Sequence, residues 1–332
     1  MPHETLHITN GDSAANLINA SSVAGSVLPW RDPMHHGPFP KTTSLDEASS
    51  IRARYLGGDN YAKQTRSELA SRDDILKRAA DSASVVLWFE HDLLDQLQLL
   101  QILDYFNNTT APIDLDLICI NQFNGIETFR GLGQLTPEQL ALLFPTRTQV
   151  TMKQLLLAST IWDAFCDSNP ANLLQWITDG DHHSLPFMQR ALQRHLEDFP
   201  WHSDGLTRTE RQCLSLLQNG DFTAGKVFTN NMHLENALYI GDWHTFTVIE
   251  RLATAKQPLI TGASASYQSW THDNATEFAN QPLQLTPLAQ QVLNGEVTAH
   301  SMINRNYWLG GIDLSRHSWH WHHEQQTLVQ KH

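Results

Sequence analysis

Across residues 84–106 the hydrophobic pattern changes period within a few positions. Val85, Val86, Leu87, Trp88 and Phe89 form an unbroken apolar run, β-branched at its start, as expected of a strand buried on both faces. Glu90, His91 and Asp92 stop it. Leu93, Leu94, Leu97, Leu100, Leu103 and Phe106 then recur at helical spacing, with Asp95, Gln98 and Gln101 on other faces and Asp92 in the capping position. A buried strand thus runs straight into a helix. Ligands of open α/β sheets bind outside the carboxyl ends of the strands, which makes Glu90, His91 and Asp92 candidate site residues. A helix N-terminus also attracts carboxylates without any chemistry, so Asp92 serves equally as a cap.

The same strand-to-helix pattern occurs earlier. Residues 5–9 alternate weakly as a first strand, Asn10, Gly11, Asp12 and Ser13 make a tight turn, and residues 13–20 have helical spacing. Gly11 permits close backbone approach, and the N–H groups at this helix start suit an anion, with Gly11, Asp12, Ser13 and Arg31 as candidate ligand-binding residues. Neither a Walker lysine nor a GxGxxG is present. Residues 26–30 read as a second strand, followed by a proline-rich ordered loop, RDPMHHGPFP, which places Arg31, Asp32 and His35 just beyond a strand end. Two charged helices follow at 45–56 and 61–80. Pro112 marks a break before a strand at 113–120, and Thr136, Pro137 and Gln139 announce a capped helix. Strands alternating with helices predict an α/β, mainly parallel, Rossmann-like sheet with helices on both faces.

Beyond residue 150 the pattern turns helical, at 152–166, 171–177 and 185–199, with Trp162, Phe165, Trp176, Phe187, Leu192 and Leu196 as core. A capped helix begins near Thr207. Helical spacing returns at 236–253, then short apolar runs at 258–260 and 283–286 and a helix at 287–293, which together predict a winged-helix-like part. In the tail, HSWHWHH alternates as a strand, with Trp319 and Trp321 on one packing face. The expected division is an α/β domain at 1–150, a helical connector at 151–204 and a winged-helix-like domain at 205–332.

Composition narrows the partners. The formal charge of −13 disfavours a general nucleic-acid binder, while a local basic patch stays compatible with it. No apolar run approaches the roughly 20 residues that span a bilayer, and the first residues lack signal-peptide character, so a cytoplasmic protein without a membrane partner is expected. Cys119, Cys166 and Cys213 form no CxxC pair and read as reduced core thiols. The 18 histidines include three adjacent pairs, which point differently on a regular element. A homo-oligomer is compatible with the sequence.

Five phrases occur together: HITNGDSAANL at 7–17, PWRDPMHHGPFP at 29–40, RARYL at 52–56, VLWFEHDLLDQLQLLQIL at 86–103 and GLGQLTPEQLA at 131–141. On them the first half resembles the uncharacterised bacterial family catalogued as domain of unknown function 1835, and LTRTERQ and YWLGGIDL look like the C-terminal part that many members carry. The resemblance implies a domain boundary and no reaction. His36 departs from the acidic residue associated with that motif.

Two catalytic readings follow from the residues. In the first, Asp12, Glu90 and Asp92 hold a divalent ion such as magnesium or manganese, Arg31 balances charge, and His35 or His91 moves a proton on a small phosphate- or nucleotide-like ligand, for hydrolysis or group transfer. In the second, Asn10-Gly11-Asp12-Ser13 looks like the nucleophile block of GDSL-class serine hydrolases, with Ser13 attacking, His35 as base and Asp32 orienting it, although that class takes its Asp and His from a late loop. A third expectation is a ligand-sensing regulator whose C-terminal helices bind DNA or a protein, through Arg208 and Arg211.

Overall fold

The computed structural model describes residues 4–42, 44–110, 113–220, 222–263 and 272–330, in two compact units, Met1–Gln193 with Tyr307–Asp313 and Arg194–Asn306 with Leu314–His332. The expected boundaries at 150 and 204 lie on either side of that division. Pro112 falls outside the described residues.

The first unit begins with β1 (Leu6–Thr9), α1 (Asp12–Ala20), β2 (Ser26–Pro29) and β3 (Gly37–Pro38). It continues with α2 (Leu45–Lys77), β4 (Val85–Glu90), α3 (Leu93–Asn107), β5 (Leu115–Ile120), α4 (Pro137–Leu143) and β6 (Thr148–Gln149). Three further helices follow, α5 (Met152–Phe165), α6 (Ala171–Asp179) and α7 (Met188–Leu196). The central sheet runs β2-β1-β4-β5-β6, parallel except for the last pair. β6 has two exposed residues and therefore no hydrophobic pattern to betray it.

Every residue of β4 is buried, as its unbroken apolar run requires. Val86 and Trp88 pack with Ala14 and Ile18 of α1 and Leu140 and Leu143 of α4. By the two-residue period of a strand, Val85, Leu87 and Phe89 point to the other face. α2 breaks at Gly58, where φ is 51°, so the two expected helices are two helical runs meeting at a glycine.

In the second unit α8 (Arg208–Gln218) starts from a Thr207–Glu210 capping box. β7 (Phe222–Thr223), α9 (Ala224–Met232), α10 (Asp242–Ala253), β8 (Ile260–Thr261), α11 (His272–Ala279), β9 (Pro282–Leu285) and α12 (Pro287–Leu293) follow. The three strands form an antiparallel sheet in the order β7-β9-β8. Cys213, Leu214, Phe246, Ile249, Leu252 and Leu283 are among the residues of its core. The chain then returns to the first unit as β10 (Trp308–Gly310), which pairs with β3 and with β11 (Ile312–Asp313). It ends in the second unit with the hairpin β12 (Trp319–His322) and β13 (Thr327–Gln330), and Trp321 is buried as expected. Among the described residues no helix is long and apolar enough to cross a membrane.

Candidate functional site

From β1 the chain goes to β2 on one side, and later enters β4 on the other side of β1. Ligands of open α/β sheets bind outside the carboxyl ends of the strands at such a reversal. Asn10 follows β1 there, and Glu90 ends β4. The Asn10 amide donates to Asp95 Oδ2 at 2.8 Å and to Glu90 Oε1 at 3.5 Å. The Glu90 backbone N–H donates to Asp95 Oδ1 at 2.8 Å, and Asp92 caps α3 by accepting from the Asp95 N–H at 3.1 Å. Three carboxyl groups thereby converge, with one oxygen of each within 4.8 Å of the others.

Glu90, Asp92 and Asp95 are 5%, 3% and 1% exposed. Among the described residues none of them pairs with an arginine, lysine or histidine. Burial, then the charge of Asp92, pushes Glu90 up to about 8, against the Leu132 N–H that donates to its Oε1 at 2.5 Å. Asp92 is raised by burial to about 6, opposed first by the Asp95 N–H, and Asp95 is raised by burial and by its two acidic neighbours. A hydrogen bond between Glu90 and Asp92 favours a proton held on Glu90. Thr9, on the same sheet face as Trp88 and Glu90, is fully buried, and its hydroxyl has no hydrogen-bond partner among the described residues.

The turn that carries Leu132 lies directly on the cluster. Gly131 has φ 142°, and a Cβ there would run into the Glu90 carboxyl group. Gly131→Ala is therefore expected to destabilise the protein by about 1–3 kcal/mol, measured by urea unfolding; an unchanged midpoint would show that the turn yields freely. A Cβ at Gly133 would meet Ser13 Oγ, so this turn also lies against the start of α1.

The other candidates are placed differently. Asp12 is not in the carboxyl cluster; Arg31 grips it from Nε at 2.9 and 3.0 Å, and both side chains are largely exposed. Asp95 takes the place expected of Asp12 as third acid. Arg31 has φ 58°, sparsely populated for a residue with a side chain. Gly11, the N-cap of α1, brings no capping side chain, and nothing lies within 4 Å of where its Cβ would be.

Asp32 is buried against Arg52, at 2.6 Å, with its backbone carbonyl accepting from Gln98 at 2.8 Å. His35 is buried with its ring 4.8 Å from that of His36. Ser13 is exposed and shares no hydrogen bond with His35, and the Asp32 carboxylate is engaged by arginine, so the Ser13–His35–Asp32 relay is not assembled. His91 is half-buried with Phe129 and Phe187 against its ring at 6.4 and 6.0 Å, and burial lowers its pKa.

Asn10 and Asp95 are the participants that sequence reasoning missed. The signal for Asp95 was that α3 is apolar over most of its circumference, so its polar residues Asp95, Gln96, Gln98 and Gln101 are buried as well. A cleft of about 740 Å³ lined by Lys41, Asp104, Trp162 and Asp163 meets α3 towards its other end and includes none of the carboxyl cluster. No family model matches this chain, and no curated protein matches it.

Proposed function

We propose that the first unit binds a divalent cation of the magnesium or manganese class through Glu90, Asp92 and Asp95, together with a phosphate-bearing ligand. One observation carries this reading: three carboxyl groups buried against one another at the strand-order reversal, with no cationic side chain among the described residues to balance them. Hard cations take oxygen ligands, and a bound cation would supply the missing charge and polarise a phosphoryl oxygen. The start of α1, where the N-cap Gly11 brings no capping side chain, favours negative charge beside it. His91, kept neutral by burial, supports proton transfer in phosphoryl hydrolysis or transfer. As part of the same proposal, the reading extends to the bacterial family that the first half resembles.

Native mass spectrometry of freshly purified full-length protein tests it. The expected result is a retained divalent cation, with or without a phosphate adduct, that disappears in Glu90→Gln. An adduct retained equally by that variant would reject the placement.

We read the second unit as winged-helix-like, supported by helices α8, α9 and α10 with a sheet ordered β7-β9-β8. Its arginines argue for a packing or protein-contact role over DNA reading. Arg208 pairs with Glu197 at 2.6 Å, Arg251 with Glu210 at 3.3 Å, and Arg211 with Asp204. Among the described residues, helix α10 carries Asp242 and Glu250 as well as Arg251 and so offers no basic stripe for phosphates.

A further inference from the structure

The histidine-rich tail is left unused by that reading. In the second unit Trp201 and Trp321 form a parallel bridge, held by the His202 N–H on the Trp321 carbonyl at 2.8 Å and the Trp321 N–H on the Pro200 carbonyl at 2.9 Å. Neighbours in register on parallel strands point to the same side, so the next pair, His202 and His322, rises from one face. Their ring centres are 5.6 Å apart and their planes 17° apart. His320, two positions before His322, shares that side of β12, and its ring meets His300 at 4.8 Å. His300 in turn donates from Nε2 to the His202 carbonyl at 3.1 Å. His323 lies on the alternate side and stacks on Trp201 at 4.4 Å, with planes 8° apart. Strand alternation has sorted HSWHWHH into an aromatic side and a histidine side.

We propose that His202 and His322 form a surface site for a borderline transition-metal ion, zinc, nickel or copper(II), with His300 and His320 behind them. Two imidazoles bound through one nitrogen each at about 2.0–2.1 Å to a tetrahedral ion have ring centres roughly 5 Å apart. The observed 5.6 Å is close to that, so the pair has the ring spacing a chelate needs. The Gln325 N–H donates to His322 Nδ1 at 3.4 Å, so Nδ1 carries the lone pair and an ion bound there takes the place of that long contact. His202 is exposed and His322 half-buried, so an ion reaches the pair from solvent. An all-imidazole set favours zinc, nickel and copper over magnesium, manganese and calcium, the opposite preference to the carboxyl cluster. This site is independent of the function proposed above.

The test is a zinc titration of the full chain by calorimetry. The double variant His202→Ala, His322→Ala should lose one binding event, or weaken it about ten-fold or more, with an unchanged circular dichroism spectrum. His202→Gln alone, conservative at an exposed position, should give the same loss. His323→Ala, on the aromatic side, should bind as wild type. Wild-type binding by the double variant, or an equal loss in His323→Ala, would overturn the site.

Discussion

Replacing Arg52 by alanine lowers the stability of the protein by about 3–5 kcal/mol, the range expected when one partner of a buried ion pair is removed. Arg52 and Asp32 are each 1% exposed. The guanidinium meets Asp32 from Nε at 3.1 Å and from Nη2 at 2.6 Å, and donates to the His36 carbonyl at 2.9 Å. Its face lies 4.1 Å from the centre of the Phe39 ring. Without it, Asp32 keeps Arg72 at 3.9 Å as its remaining cation among the described residues, and the loop from Arg31 to Pro40 loses the donor to its Pro33 and His36 carbonyls. Urea unfolding followed by circular dichroism measures the change. The double variant Arg52→Met, Asp32→Leu should recover part of it, because no buried charge is then stranded; a loss under 1 kcal/mol in Arg52→Ala, on the order of an exposed pair, would contradict the role assigned here.

The second large effect is a dependence of stability on pH that a divalent cation reverses. In the unfolded chain Glu90 releases its proton near its ordinary value of 4.5, whereas in the folded, cation-free protein it holds it to about 8. Between those limits the folded state binds more protons. The stabilisation is complete below the unfolded value, falls as pH rises, and is lost above the folded one. Asp92, raised to about 6, and Asp95, also raised, contribute with the same sign. Glu90→Gln, which does not titrate, should flatten this decline. Manganese should restore stability most at the alkaline end, because binding requires deprotonated ligands. Thermal unfolding across this pH range, with and without manganese, measures both effects, and a cation-free protein equally stable throughout would contradict them.

Much of the first unit was legible because its strands are short apolar runs closed by turn residues. β4 and α3 were read from a change of period, and the Thr136–Gln139 capping box is present with both hydrogen bonds. β6 was illegible because an exposed two-residue edge strand needs no hydrophobic pattern, and the pairing of β3 with β10 because it joins residues far apart in sequence. Asp95 illustrates a subtler failure. A polar residue between leucines reads as a solvated helix face, and only the burial of α3 on most sides turns it inward. Asp12 departs in the opposite direction: it reads as part of the turn before α1, whereas it opens the helix and its partner is Arg31, whose left-handed backbone conformation sequence spacing does not reveal.

Calorimetric titration of the full-length protein with manganese at about pH 6 and about pH 8 tests the central claim most directly. The account predicts one cation bound more tightly at the higher pH, with protons released, and a loss in Asp95→Asn of at least the roughly 10–100-fold that even outer-shell changes produce. Equal affinity in wild type and Asp95→Asn, or binding indifferent to pH, would contradict it.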